Sequence, residues 1–203
     1  DYVAKSPADG YTIILLTGGH AVSAALYKQL PFDPLEDFSM VSLISQFAFV
    51  AATAPDSPLK NIADVIAAAK KSPGALTFTS AGTGSTQHLA GELLKSMADV
   101  NMVHVPYRGG LAPVADVIAG RVSMMFETLT PTLPQIKAGK MRALAVTSST
   151  RSGILPDLPP VADSLPGYEV TSWMGIAAPA KIPGPILERL NQEVVKAVAS
   201  SEM

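Results

Sequence analysis

Short apolar runs alternate with amphipathic helical segments along nearly the whole chain, and few architectures accommodate that order. Strands are predicted over 11–16, 47–52, 76–79, 101–105, 121–126, 142–147 and 174–178, and helices over 20–27, 62–70, 86–97, 113–118, 133–137 and 185–199. A strand that returns beside its predecessor after a helix runs in the same direction, so the order predicts an α/β protein with largely parallel sheets. The 17 prolines fall mostly in connections such as QLPFDPLEDF, ILPDLPPV and APAKIPGP, where a fixed φ and a missing donor do least harm. FVAATAPDSPLKNIADVIAAAK and WMGIAAPAKIPGPILERLNQEVVK echo each other. Each is a short apolar strand ending in Ala-Pro, a bend with another proline, and an amphipathic helix. Two equivalent strand exits of this kind are expected of a two-lobed protein whose strands cross between lobes.

Composition narrows the function classes. With 203 residues the chain can bury roughly 70% of the surface it would expose unfolded, enough for one large domain or two small ones. Only 16% of residues are charged and the formal net charge is -2, which argues against a phosphate-tracking nucleic-acid binder. With no cysteine, thiolate metal sites, disulfides and a cysteine nucleophile are excluded. His20, His88 and His104 stand far apart in sequence, so no metal or other cofactor is expected. No apolar run approaches the ~18 residues of a membrane helix, so no stable membrane insertion is expected. The opening DYVAKSPADGYTIILL reads as the tail of a helix running into a strand, and a segment ahead of it is expected.

TFTSAGTGSTQHLAGELL, from Thr77 to Leu94, places a loop of glycines and hydroxyls between a predicted strand and a predicted helix. Gly82 and Gly84 permit backbone conformations and close approaches that a Cβ forbids. Ser85 or Thr86 can cap the helix, whose first N–H groups have no partner inside it. Such a corner holds an anion with backbone alone; it also serves as an ordinary capped turn. Nucleotide readings fail at single positions. A Walker A loop needs Lys where Gly84 stands, and a dinucleotide fingerprint needs Gly where Gln87 stands. A hydrolase or lyase using Ser85, His88 and Glu127 is the enzymatic alternative, although the segment lacks the GxSxG elbow. His88 otherwise reads as a hydrogen-bonded packing residue under the loop.

Similar corners recur: Thr17, Gly18 and Gly19 lead into a helix, Arg108 precedes Gly109 and Gly110, and Glu127 with Thr128 follows a strand. Ligands of open α/β sheets bind outside the carboxyl ends of strands, and this recurrence favours an anion site over capping alone. Arg108 can pair a carboxylate in bidentate fashion or stay solvated. Tyr107 is a cleft wall or a core aromatic. Glu127 and Thr128 suit ligand hydroxyls, ammonium or water, or brace their loop. Trp173 and Met174 are expected to pack near the crossing strands.

ADGYTIILLTGGHAVSAALYKQLPFDPLEDFSMVSLI, TFTSAGTGSTQHLAGELLK, VHVPYRGGLAPVADVIAGRVSMMFETLTPTLPQIKAGKMRALAVTS and VTSWMGIAAPAKIPGPILERLN together resemble the periplasmic solute-binding receptors of tripartite tricarboxylate transporters, the Bug family. The resemblance covers essentially the whole chain in family order. It implies a type II periplasmic-binding fold, with two α/β lobes joined by crossing strands, closing over a small carboxylate for membrane transporter subunits; a ligand-sensing domain of a signalling system is the other binding role open to such a chain. Implied ligands are dicarboxylates, tricarboxylates, aromatic carboxylates, acidic amino acids and nicotinate-type compounds. Lobe 1 is expected over 1–50, lobe 2 over 51–147, and a return to lobe 1 over 148–203. By family analogy the second-lobe loop comprises Ser80, Ala81, Gly82, Thr83, Gly84, Ser85 and Thr86; Thr17, Gly18, Gly19 and His20 line the first-lobe side; Glu127 and Thr128 lie near the far end of the ligand. The family pattern places an opening strand and its loop ahead of Asp1 and a helix and strand after Met203.

Overall fold

A computed structural model describes residues 1–200. They form two compact units: unit 1 draws on the two ends of the chain, and unit 2 is the continuous stretch Phe47–Thr171. The main chain passes between them near residues 46–47 and again near 171–172.

Unit 1 contains β1 (Ile14–Thr17), α1 (Gly18–Leu26), most of β2 (Phe38–Ala48), and, from the far end of the chain, all but the first residue of β8 (Thr171–Pro179) and α6 (Gly184–Val198). β8 is the middle strand of a three-stranded sheet, between β1 and β2. β1 runs antiparallel to it, from Ile14 opposite Ala177 to Thr17 opposite Met174. α6 brings Ile186, Leu187, Leu190 and Val194 onto Val41, Ala178 and Ile182, the stripe its helical spacing predicts. The Asn191 amide clamps the helix further, donating to the Val41 carbonyl at 2.7 Å.

Unit 2 holds β3 (Val50–Thr53), α2 (Ile62–Lys71), β4 (Thr77–Ser80), α3 (Thr86–Ala98), β5 (Val103–Pro106), α4 (Ala112–Ile118), β6 (Met124–Glu127), α5 (Leu129–Lys137) and β7 (Arg142–Val146). Its sheet has the order β5-β4-β6-β3-β7. β4 runs parallel to β5 and β6, whereas β3 is antiparallel to both its neighbours. The largely parallel expectation therefore holds for half of this sheet and fails at β3 and at the unit 1 pair. β3 enters the sheet directly from β2 and not through a crossover helix, so nothing forces it into the common direction.

Successive side chains of a strand point to opposite faces, and the core divides accordingly. Ala51, Met124 and Phe126 face α2 and α3, with Val65, Ala69, Ala90 and Leu94. Ala52 and Met125 face α4 and α5, with Val114, Val117 and Ile136. Covered on both faces, β3 is buried throughout. Helix starts follow side-chain chemistry: Asn61 Oδ1 accepts the Asp64 N–H at 2.8 Å to cap α2, and the Ser85 hydroxyl accepts the His88 N–H at 3.2 Å to cap α3.

Residues 148–170, read from sequence as part of the return to lobe 1, belong to unit 2. Local bonds hold them there: Val146 N–H donates to Pro159 O at 2.9 Å, and Val170 N–H to Thr147 O at 2.8 Å. Tyr168 is fully buried, and its hydroxyl donates to the Ala90 carbonyl at 2.9 Å. Burial pushes its phenol well above the usual range, so it stays a donor at any working pH. Tyr168→Phe is expected to lower the unfolding free energy by about 1 kcal/mol. Urea titration checks this; an unshifted midpoint would mean the bond contributes nothing net.

Candidate functional site

Because β4, β5 and β6 are parallel, their carboxyl ends, Ser80, Pro106 and Glu127, lie along one edge of the unit 2 sheet. The loop from Ser80 to Ser85 turns there into α3. Gly82 and Gly84 adopt φ of 124° and 84°, conformations that favour glycine. The loop is bonded to itself. Ser80 Oγ accepts the Gly82 N–H at 3.0 Å, and the Ser85 hydroxyl donates to the Gly82 carbonyl at 2.7 Å. The next strand exit is tied in, since Tyr107 N–H donates to Ser80 O at 3.1 Å.

These bonds sort the loop's donors. Gly82 N–H is engaged by Ser80, Ser85 N–H by the Gly82 carbonyl, and Gly84 N–H donates to His88 Nδ1 at 3.3 Å. The backbone N–H groups of Thr83 and Gln87 stand outside this set, at the positive end of α3. Gly84 thus acts by giving the loop its shape and anchoring it below, not by offering its own amide outward. The Gln87 side chain bridges to β6, donating to Glu127 Oε1 at 3.4 Å, while the same oxygen accepts Thr128 N–H at 2.7 Å. Ser80, Ala81, Gly82, Thr83, Gly84, Ser85, Thr86, Glu127 and Thr128 are therefore one bonded neighbourhood or adjoin it. Arg108 is exposed on the neighbouring exit, next to Gly109 and Gly110, each at φ 81°. Tyr107 turns to α4 instead, where its hydroxyl bonds Asp116, whose other oxygen takes Arg121 Nε at 2.8 Å.

Beneath the loop lies a pair of imidazoles that spacing did not suggest. His104 is on β5 beside Phe78 of β4, and His88 is on the first turn of α3. Their ring centroids are 4.1 Å apart, and the two rings stack on Phe78 at 5.0 and 6.4 Å. Ser80 Oγ lies 2.6 Å from His104 Nε2. Burial, and secondarily the neighbouring His88, hold the His104 pKa below its usual value. A histidine whose folded pKa is depressed stabilises the fold above its unfolded pKa of about 6.5, and that contribution is lost as pH falls from there through the folded value.

The enzymatic reading of Ser85, His88 and Glu127 meets specific obstacles. The Ser85 hydroxyl is committed to Gly82 O and the His88 N–H, His88 Nδ1 to Gly84, and Glu127 to Gln87 and Thr128. The serine that does meet an imidazole, Ser80, is 1% exposed and out of a substrate's reach.

Thr17, Gly18, Gly19 and His20 belong to unit 1, where β1 passes straight into α1. Thr17 is exposed and makes no side-chain cap to the helix. The His20 ring is held by its own unit: Nε2 lies 2.8 Å from Pro34 O, and the ring stacks on Phe32 and meets Phe38 edge-on.

A family model described as the tripartite tricarboxylate transporter family receptor matches residues 1–203. A protein encoded in the tcbD–tcbE intergenic region of Pseudomonas sp. strain P51 is 41% identical over all of this chain and 61% of its own length. BugT of Bordetella pertussis is 34% identical over 98% of this chain and 62% of its own length. The chain thus spans about three fifths of the length of these relatives. Among solved structures, an R. palustris protein with adipate superposes with a TM-score of 0.93 at 37% identity, covering 99% of this chain and 68% of that one. The periplasmic binding protein BugD gives 0.92 at 32% identity, covering 98% and 67%. MatC of Rhodopseudomonas palustris with bound malate gives 0.91 at 28% identity, covering 99% and 69%. The fold is accordingly that of a two-lobed α/β periplasmic-binding protein with crossing strands.

Proposed function

The chain belongs to the tripartite tricarboxylate transporter receptor family, and on that premise we propose that it is an extracytoplasmic solute-binding receptor. It captures a small carboxylate in the periplasm and presents it to membrane transporter subunits. The observation that carries this reading is the corner at Gly82–Gln87. There a glycine-shaped loop and the start of α3 leave the Thr83 and Gln87 N–H groups outside the loop's internal bonds. A carboxylate meeting them gains charge-assisted bonds and about 0.3–1 kcal/mol from the helix terminus. That adipate and malate occupy relatives of this fold supports the same ligand class. We infer that Thr17, Gly18, Gly19 and His20 of unit 1 are ligand-binding residues, and that Arg108 offers the carboxylate a cation. Nothing in this arrangement activates a nucleophile, and the role is capture, not turnover.

Titration calorimetry of the full chain with adipate, malate, citrate, benzoate and glutamate tests the reading. Saturable heat with at least one is expected; no heat and no thermal shift across the set would overturn it. Specificity falls to groups beyond the clamp, and Glu127 is the first of them. Its carboxylate repels a second ligand carboxylate and attracts an ammonium or hydroxyl. Glu127→Gln is expected to tighten adipate about three- to tenfold and to weaken glutamate relative to it. Competition calorimetry measures the ratio, and an unchanged ratio would remove Glu127 from the ligand's surroundings.

A further inference from the structure

The imidazole pair below the loop offers no donor to the carboxylate in the clamp as described, yet one of its ring nitrogens anchors that clamp. Gly84 N–H donates to His88 Nδ1 at 3.3 Å. An imidazole that accepts at Nδ1 carries its proton on Nε2, and His88 Nε2 faces Glu92 Oε1 at 3.8 Å. The second ring, His104, sits 4.1 Å away and reaches Ser80 Oγ, which itself accepts the Gly82 N–H. Both glycines that shape the loop are thus held, directly or through one hydroxyl, by histidine.

We propose that His88 and His104 are positioning residues that make the carboxylate clamp proton-sensitive: neutral, they hold Gly82–Ser85 in the shape that meets an anion, and acidification releases it. This rests on the reading of that loop as the carboxylate site. When His88 takes a second proton, the atom that receives it is the acceptor for Gly84, so the anchor becomes two opposed donors. The charged groups facing the pair are Glu92 and Lys95, both on α3, and Lys95 already engages both Glu92 oxygens at 2.7 and 2.9 Å. β4 contributes only Phe78 and the Ser80 hydroxyl. Two rings in contact do not both carry charge without repulsion, so protonation of either bears on both anchors. Burial disfavours the charged form of His104 in the same sense.

The test is adipate and malate calorimetry on the full chain between about pH 8 and about pH 5.5, beside NMR of the ligand-free protein following the Gly84 amide and the imidazole C–H signals. Wild-type affinity is expected to fall about tenfold more across this range than that of His88→Asn. Asn offers Gly84 an acceptor that does not titrate, and comparing the two at each pH removes the ligands' own titration. His88→Phe lacks the acceptor and is expected to bind weakly at both ends, with far-UV circular dichroism checking its fold and the Asn variant rescuing it. In the ligand-free protein the Gly84 amide is expected to shift with the midpoint of the imidazole signals. Parallel pH profiles for wild type and His88→Asn, affinity that rises on acidification, or a Gly84 amide indifferent to the imidazole midpoint would each overturn the inference. If no ligand binds at about pH 8, the carboxylate reading fails and the Gly84 titration alone decides the histidine coupling.

Discussion

Gly91→Ala is expected to destabilise unit 2 by about 2 kcal/mol or more, although alanine is the better helix former by about 1 kcal/mol. Gly91 lies in the middle of α3, over the face of Phe78, and a Cβ built there would stand 2.1 Å from the ring. Ordinary carbon contacts begin near ~3.5 Å, so the ring or the helix must move. Neither has room. Phe78 is fully buried, bounded by Phe126, His88 and His104, and Tyr168 fixes the same helix at Ala90. Overpacking therefore outweighs propensity. A thermal melt should show the loss as a fall of several degrees, at about 2–4 °C per kcal/mol for a chain of this size. A melting temperature at or above wild type would mean that α3 can shift away from the Phe78 ring at little cost.

Gly82→Val is expected to cost at least about thirtyfold in carboxylate affinity while leaving much of the fold intact. Gly82 has φ 124°, and a side chain there would also approach the Tyr107 carbonyl at 3.2 Å. Valine disfavours that backbone region more than most residues do. Relaxing the strain turns the Gly82 amide and carbonyl away from Ser80 and Ser85, which dismantles the corner. Gly139→Ala is the control. Gly139 has φ 69° with open space around its would-be Cβ, beyond the far end of α5. It introduces positive-φ backbone strain, milder than that of valine at Gly82, away from the loop and should leave affinity unchanged. Equal binding by wild type and Gly82→Val would dissociate the loop from the ligand.

Where one residue type does one local job, sequence was enough. The Ser85 cap, the positive-φ glycines of the loop, the apolar stripe of α6 and the strand–bend–helix echo at β3–α2 and β8–α6 are all present. Two elements are longer than the local sequence indicates, each for a local reason. The strand predicted over 47–52 takes in only the last two residues of the eleven-residue β2, because SMVSLISQFA mixes serines with apolar residues and lacks a clean alternation. α5 begins at Leu129, not near Leu133; Pro131 and Pro134 read as breaks, yet Pro131 sits in the first turn where a missing N–H is harmless. Thr132 adds a bond to the Thr128 carbonyl at 2.7 Å. The imidazole pair was out of reach for a different reason. His88 and His104 meet only because β4 and β5 pair in the register that sets Phe78 beside His104, and no local pattern fixes a register between strands separated by a helix.

The interrupted composition of unit 1 bears on how the chain becomes a protein at all. Its middle strand, β8, is made last, after the whole of unit 2, while β1 and β2 flank it and do not pair with each other. β1 and β2, carrying Leu15, Met40 and Leu43, therefore leave the ribosome well before the strand that pairs with both. The interval is filled by a compact unit of its own, so closing the unit 1 sheet waits on the synthesis of β8, and the order of translation sets the order in which the two sheets can be completed.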